Sequence, residues 1–452
     1  MRDFEIWASP EATIARVDEE HSVDQLALTG HDRREMDVAL LGGLGVDASR
    51  APVLWERAVA EAPTVIDLEW AKRRVAAVAT RGMAPIVTLL DHGSGPRFTN
   101  LLDPAFPSLF GDYAAMVALA LPWVRRWTPI DEPLATARMS TLEGSRHPNR
   151  RDDRAFGRAL VHLTLAQQTA MTKIRAVQPN AEFVFTEELQ SFAAGDEAQR
   201  DDVAFRSERA YLAIELCAGR VDVAHPLWQY LIERCGVTEE DLNVMRAGAT
   251  TPDLVAFNHY PHSERYLFAT ADGTAADIPS LYVRGEEPPR AAPLLWQAAQ
   301  RLRMPLALGE VHVNGTPIER VRWLAQHVED VAALRDAGID LRAVGVGAAF
   351  GMTDWRAALG NDAGAPQDGV FTFAGATGLP ERTQLADAVC ELVRDGTVAL
   401  PDARGWWERD DRFMNPHDIA ALRAAGVPEG DHIVPSSGEE AHRRVMFSRR
   451  WE

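Results

Sequence analysis

Glu132 and Glu310 each close a run of apolar chain: RWTPIDE (126–132), where Asp131 precedes the glutamate, and MPLALGE (304–310). A carboxylate at the end of a segment suited to burial sits where desolvation tunes its proton affinity. Two such groups facing one another can cleave a glycosidic bond. At ~5 Å one acts as acid/base and the other as nucleophile; at ~6.5–9.5 Å a water fits between them and configuration inverts. Other polar groups end or follow neighbouring apolar runs: Glu11, Asp91, His92, Glu187, Glu188, Asn258, His259, Tyr260, His312, Asp354 and Trp355. Trp7, Trp55 and Trp127 add aromatic faces that suit stacking on sugars, with core packing the alternative, most of all for Trp55. The plain alternatives are structural ion pairing for Glu132 and Glu310, and a helix cap or surface charge for Asp131. Glu187 and Glu188 read as structural, and His259 and His312 as supporting or solvent-facing. The HDRRE run (31–35) reads as a solvated helix start.

These residues need a frame that gathers them. The strand-like runs are FEIWASP (4–10), RAPVLWE (50–56), APIVTLLDH (84–92), RWTPIDE (126–132), AEFVFTEE (181–188), LVAFNHYP (254–261), MPLALGE (304–310) and LRAVGVGAAF (341–350). They are short and nearly continuously apolar, as strands of a parallel sheet covered on both faces should be. Helical stripes lie between them. Leu68, Ala71, Val75, Val78 and Ala79 form one behind Asp67, and Phe156, Leu160, Leu163, Ala170, Ile174 and Val177 form another. Ile318, Val321, Leu324, Val328, Val331 and Leu334 form a third, stopped by Gly338. This alternation predicts a closed (β/α)8 TIM barrel. An open doubly wound sheet is the rival, but no glycine-rich phosphate loop follows the first strand. In a barrel the C-terminal strand ends form one mouth, which places Glu132 and Glu310 on the fourth and seventh strands, roughly opposite.

Composition bounds the rest. The 452 residues are 46% hydrophobic and 25% charged, an ordinary globular balance. We expect the barrel over residues 1–398, with extra helices between the fifth and sixth strands. A C-terminal extension, 399–452, containing GWWERDDRF, is expected to pack on it. The net charge of −19 argues against nucleic acid, whose phosphates demand clustered Lys and Arg, and against an anionic membrane surface. The start lacks a basic segment followed by an apolar one, and no apolar run is long enough to span a bilayer. Cys217, Cys235 and Cys390 are an odd number and widely spaced, which fits a reducing compartment and a cytoplasmic protein.

At this point a family likeness emerges. TPIDEP resembles the T-x-N-E-P segment of glycoside hydrolase family 1, and LGEVHVNG its I-T-E-N-G segment. AFNHYP is similar to G-I-N-Y-Y, RAPVLWER to R-F-S-x-x-W-x-R, and TLLDHGSGP to T-L-x-H-W-D-L-P. The five segments fall in order across most of residues 4–375. The likeness is nearest to the divergent family 1-like domains sometimes fused to a dTDP-4-dehydrorhamnose reductase-like domain. It implies a retaining, exo-acting β-glycosidase of β-glucosidase or β-galactosidase type on a (β/α)8 barrel, with no cofactor and no metal. Its partner would be a small carbohydrate or glycoside. The acidic surface is compatible with a monomer or a homodimer.

By motif, Glu132 would be the acid/base and Glu310 the nucleophile. Tyr260 would hydrogen-bond Glu310, and Arg50 would keep it ionised. Glu11, His92, Asp131, Asn258, Asp354 and Trp355 would bind the sugar. Three positions depart from the pattern. Asp131 stands for an Asn and accepts without donating, Asp354 stands for a Glu, and Gly347 falls where the family has a tryptophan. These changes make a catalytically silent sugar-binding barrel one alternative. A metal-dependent barrel hydrolase using His92, Glu188, His259 and His312 is another, although the first strand offers Glu11 rather than an H-x-H pair.

Overall fold

The computed structural model describes residues 3–59, 65–194, 197–269, 275–283, 286–353 and 365–409. Asp354 and Trp355 lie outside them. All eight expected strands form: β1 (Glu5–Ala8), β2 (Ala48–Pro52), β3 (Ala84–Asp91), β4 (Arg126–Asp131), β5 (Glu182–Glu188), β6 (Leu254–His259), β7 (Leu306–Val311) and β8 (Leu341–Val346). Each pairs in parallel with its neighbours in sequence, and β8 and β2 flank β1 to close the barrel. The second strand differs from expectation. It begins at Ala48 and ends at Pro52, and Trp55–Ala58 is a helical turn.

The helices follow their apolar stripes. They include α1 (Glu69–Thr80), α2 (Phe106–Ala120), α3 (Pro133–Thr141), α4 (Asp153–Val177), α5 (Ala291–Leu302), α6 (Pro317–Asp336) and α7 (Gln384–Asp395). The Asp67 carboxylate accepts the Glu69 amide at 2.9 Å, and Asp152 caps α4 through the Ala155 amide at 2.8 Å. The β5–β6 connection carries helices at Arg200–Arg209, Leu212–Cys217 and Glu239–Ala247. HDRRE does precede a helix, Met36–Gly42, with Arg33 and Glu35 exposed, but it is not solvated throughout. His31 and Arg34 bond the buried Asp37 on that helix at 2.9 and 3.0 Å.

The inside of the barrel explains how the site is raised to its mouth. Trp7 clusters with Ala48, Ile86, Val184, Leu254, Ala256, Ala307 and Ala343, contributed by strands around the wall. One large ring among small side chains fills the lower lumen. Trp55 packs edge-on to Phe106 and Phe110 outside the barrel, and Trp127 is fully buried with its indole donating to Gln178 at 3.2 Å. These three tryptophans are core, not stacking platforms, because each is buried among core side chains. A separate three-stranded sheet (Ser191–Ala194, Glu264–Ala269, Ala275–Pro279) forms from the loops after β5 and β6. Residues 400–409 return to the outer wall, where Trp407 is buried edge-on to Trp323 on α6 and Glu408 pairs with Arg322.

Candidate active site

Three strand ends leave the sheet through non-glycine residues in the left-handed region: His92 (φ 50°) after β3, Glu132 (φ 44°) after β4 and Ala348 (φ 48°) after β8. That conformation costs on the order of 1 kcal/mol or more per residue and is typical of functional sites. For Glu132 the turn is enforced from both sides. β4 runs into it, and Pro133 starts α3 immediately afterwards. Glu310 is aimed by a different device. The pairing of β7 slips on both sides between Leu308 and Glu310, a bulge at Gly309 that re-directs the next side chain. A Cβ at 309 would lie 2.8 Å from Asn258 Oδ1 and 3.2 Å from an Arg50 nitrogen, so the bulge needs glycine.

The side chains at the mouth form one buried network. Asn258 Nδ2 donates to Glu132 Oε1 at 2.6 Å. Its oxygen faces Arg50 Nη2 at 3.4 Å, and Arg50 Nη1 pairs with Asp131 Oδ1 at 2.9 Å. His92 Nε2 stands 3.4 Å from Glu132 Oε2. On the β1 side, Thr13 ties two further carboxylates together: its amide donates to Glu11 Oε1 at 3.0 Å and its hydroxyl to Asp91 Oδ1 at 3.1 Å. Tyr260 hydrogen-bonds Glu310. Of the residues expected at the site, Glu11, Arg50, His92, Asp131, Glu132, Asn258, Tyr260 and Glu310 converge.

Charge is unevenly held. Burial, then Asp131, pushes the Glu132 carboxyl well above the usual range, which favours its protonated form. Burial and Glu11 push Glu310 up to about 8, against the pull of Arg50 and Tyr260. Arg50 and Tyr260 do pull Glu310 down, but burial and Glu11 outweigh them, and the contact ion pair of Arg50 is with Asp131. Burial works to lower the pKa of Arg50, but Asp131, Glu310 and Asp91 together raise it, so it stays charged. Burial, reinforced by Arg146 and Arg50, keeps His92 neutral.

Other expected residues have structural partners. His259 and His312 are buried rather than solvent-facing. His259 Nδ1 meets His327 Nε2 at 2.8 Å, and His312 Nε2 meets Gln367 at 3.2 Å. Glu187 accepts the Leu134 amide at 2.7 Å and Glu188 the Ser263 hydroxyl at 2.9 Å; both brace loops around the mouth. These contacts scatter the ligand set of a metal hydrolase. Among the described residues, the donors within 4.8 Å of one another are those of Asp91, His92 and Asp131. At Gly347, the space a side chain would fill is taken by Glu310, whose Cγ would stand 2.0 Å from a Cβ there. Sequence reasoning missed Thr13 and Arg146. Arg146 is buried and donates to the His92 carbonyl at 3.1 Å, but it lies in the loop GSRHPN, where no periodicity marks it.

Comparison with known proteins agrees with this geometry. The profile of glycosyl hydrolase family 1 matches residues 3–276. No curated protein sequence matches the chain. Among solved structures, the beta-glucosidase from Thermotoga maritima in complex with deoxynojirimycin is similar with a TM-score of 0.72 at 15% identity, covering 88% of this chain and 99% of that one. The same enzyme in complex with castanospermine gives 0.72 at 16%, with 88% and 99% covered. The structure described as a family 1 b-glucosidase from that organism gives 0.68 at 16%, with 82% and 87% covered. At such identities the likeness speaks for the barrel fold. The profile spans more than half of the sequence and contains the strand ends bearing Arg50, His92, Glu132 and Asn258, and the chain belongs to glycosyl hydrolase family 1.

Proposed function

We propose that this glycoside hydrolase is a retaining, exo-acting β-glycosidase that cleaves small β-glucosides or β-galactosides by double displacement. The Glu310 carboxylate attacks the anomeric carbon while the bond to the aglycone breaks and the Glu132 proton passes to the departing oxygen. A glycosyl ester on Glu310 results. Glu132, now ionised, takes a proton from a water whose oxygen attacks the same carbon and releases Glu310. Asn258 positions Glu132, and Tyr260 and Arg50 stabilise Glu310 as it ionises. Glu11, His92 and Asp131 hold glycone hydroxyls.

The observation that carries this reading is the unequal pair in one mouth. Burial and Asp131 raise the proton affinity of Glu132, and Asn258 fixes it at 2.6 Å. Glu310 has a hydroxyl donor and a guanidinium nearby to support its ionised form. Such division between two carboxyls is what assigns acid and nucleophile. No described helix is long and apolar enough to cross a membrane, and the three cysteines are unpaired, which supports a cytoplasmic location.

The test is hydrolysis of aryl β-glycosides (glucoside, galactoside, fucoside, xyloside, mannoside) by wild type, Glu132→Ala and Glu310→Ala. Wild-type cleavage with a first-formed β-anomer, lost roughly 10³-fold or more in Glu310→Ala, is expected. A 2-deoxy-2-fluoro glycoside should label Glu310. If no member is cleaved and no label is taken up, a catalytically silent sugar-binding barrel replaces this reading.

A further inference from the structure

The mouth buries more carboxyl groups than cleavage of a neutral glycoside requires. Besides Glu132 and Glu310, it buries Glu11, Asp91 and Asp131, which are 8%, 7% and 3% exposed. Asp131 is matched by Arg50 at 2.9 Å. Glu11 and Asp91 have no ion-pair partner among the described residues. The Thr13 amide and hydroxyl satisfy one oxygen of each and neutralise neither. Arg146 feels both charges from a distance, with its Nη1 engaged on the His92 carbonyl. His92 contributes no positive charge, since its setting keeps it neutral.

These groups converge instead of lining a surface. Donor atoms of Asp91, His92 and Asp131 lie within 4.8 Å of one another, and Thr13 brings Glu11 to the same side. Burial, then the neighbouring Asp131 and Glu11, drives Asp91 well above the usual carboxylate range, and burial raises Glu11. A cation placed among them relieves that repulsion.

We propose that this side of the mouth selects a glycone bearing an ammonium group, an amino sugar, with Glu11, Asp91 and Asp131 as its acceptors. The proposal rests on the glycosidase reading and names its substrate class. An ammonium has three N–H donors to share among separate carboxylates. A divalent cation is the rival for the same atoms, but the guanidinium already on Asp131 repels two charges more than one.

The test is calorimetric binding of methyl 2-amino-2-deoxy- and 3-amino-3-deoxy-β-D-glucopyranoside against methyl β-D-glucopyranoside, below the pKa of the amines. At least one amine should bind tenfold or more tightly, about 1.4 kcal/mol. Glu11→Gln should remove most of that preference, and Asp91→Asn serves where the first variant fails to fold. Equal or weaker binding of both amines overturns the proposal. So does tight Mg²⁺ or Zn²⁺ binding without an amine preference, which would make the cluster a metal site. Binding needs no turnover. An unlabelled Glu310 would therefore sink the glycosidase reading alone, and a preference for the neutral glycoside would sink this inference alone.

Discussion

Arg50 lies 2.9 Å from Asp131 and acts on Glu310 only through space. The one guanidinium at the β2 end of the mouth is thus shared between a contact partner and a more distant carboxyl. Burial and Glu11 then outweigh it at Glu310, which is pushed up to about 8. Asp131 is one of the residues that raise Glu310, so it acts twice: directly by repulsion, and indirectly by holding Arg50.

Asp131→Asn should therefore lower the pKa of Glu310. In the pH dependence of kcat/KM, the limb on which Glu310 loses its proton should move toward acid by about one pH unit or more. The limb set by Glu132 should also move down, since Asp131 is the leading charge raising it. An unmoved acid limb would mean that Asp131 reaches Glu310 neither directly nor through Arg50.

Stability should carry the same signature. The Glu310 carboxyl titrates at about 8 when folded, against an ordinary value of 4.5. Between those values the folded chain keeps a proton that the unfolded chain has released, so stability falls as pH rises through the window. Glu310→Gln cannot ionise. It should match wild type near pH 4 and exceed it by on the order of 1–3 kcal/mol at pH 8. Urea unfolding at both pH values measures the difference, and a gain that is the same at each would refute the linkage.

The barrel was legible because its strands are short apolar runs in regular alternation with striped helices, and the mouth was legible because those runs end in polar groups. What escaped was set by side-chain direction and by sums over space. Trp7 and Trp127 are aromatic in the sequence, but nothing there says that one plugs the lumen and the other faces α4. The outer sheet escaped because ERYLFA and SFAA are brief and partly polar, and their pairing joins two different loops. The Glu310 pKa escaped because it balances burial and Glu11 against Arg50 and Tyr260, none of them neighbours in sequence. Gly309 and Gly347 read as ordinary glycines; only the packing around Glu310 gives them a reason.

Gly309→Ala tests the first of these. The added Cβ meets Asn258 Oδ1 at 2.8 Å and the Ala256 Cβ at 3.1 Å, so either the bulge opens or Asn258 withdraws from Glu132. Both misplace a reacting group while the lower barrel keeps its packing. We expect kcat/KM to fall about 10²-fold, as for other displacements near 1 Å, with far-ultraviolet circular dichroism unchanged. Wild-type activity in a folded variant would show that β7 aims Glu310 without the bulge.

Gly347→Trp tests the second, and it separates sequence pattern from structure. Restoring the family's tryptophan would improve the site if the position were merely vacant. It is not vacant: a Cβ at 347 stands 2.0 Å from Glu310 Cγ and 2.2 Å from its Cδ. The backbone cannot readily step aside, since the Gly347 amide is bonded to the Val311 carbonyl at 3.3 Å. The ring must therefore displace Glu310, and the expected result is a loss of kcat/KM of at least about 10²-fold with overpacking of about 1–3 kcal/mol. Gly347→Ala should lose activity in the same direction, because the first carbon already collides. Activity gained by the tryptophan would place Glu310 in a different rotamer during catalysis and remove the steric reason for this glycine.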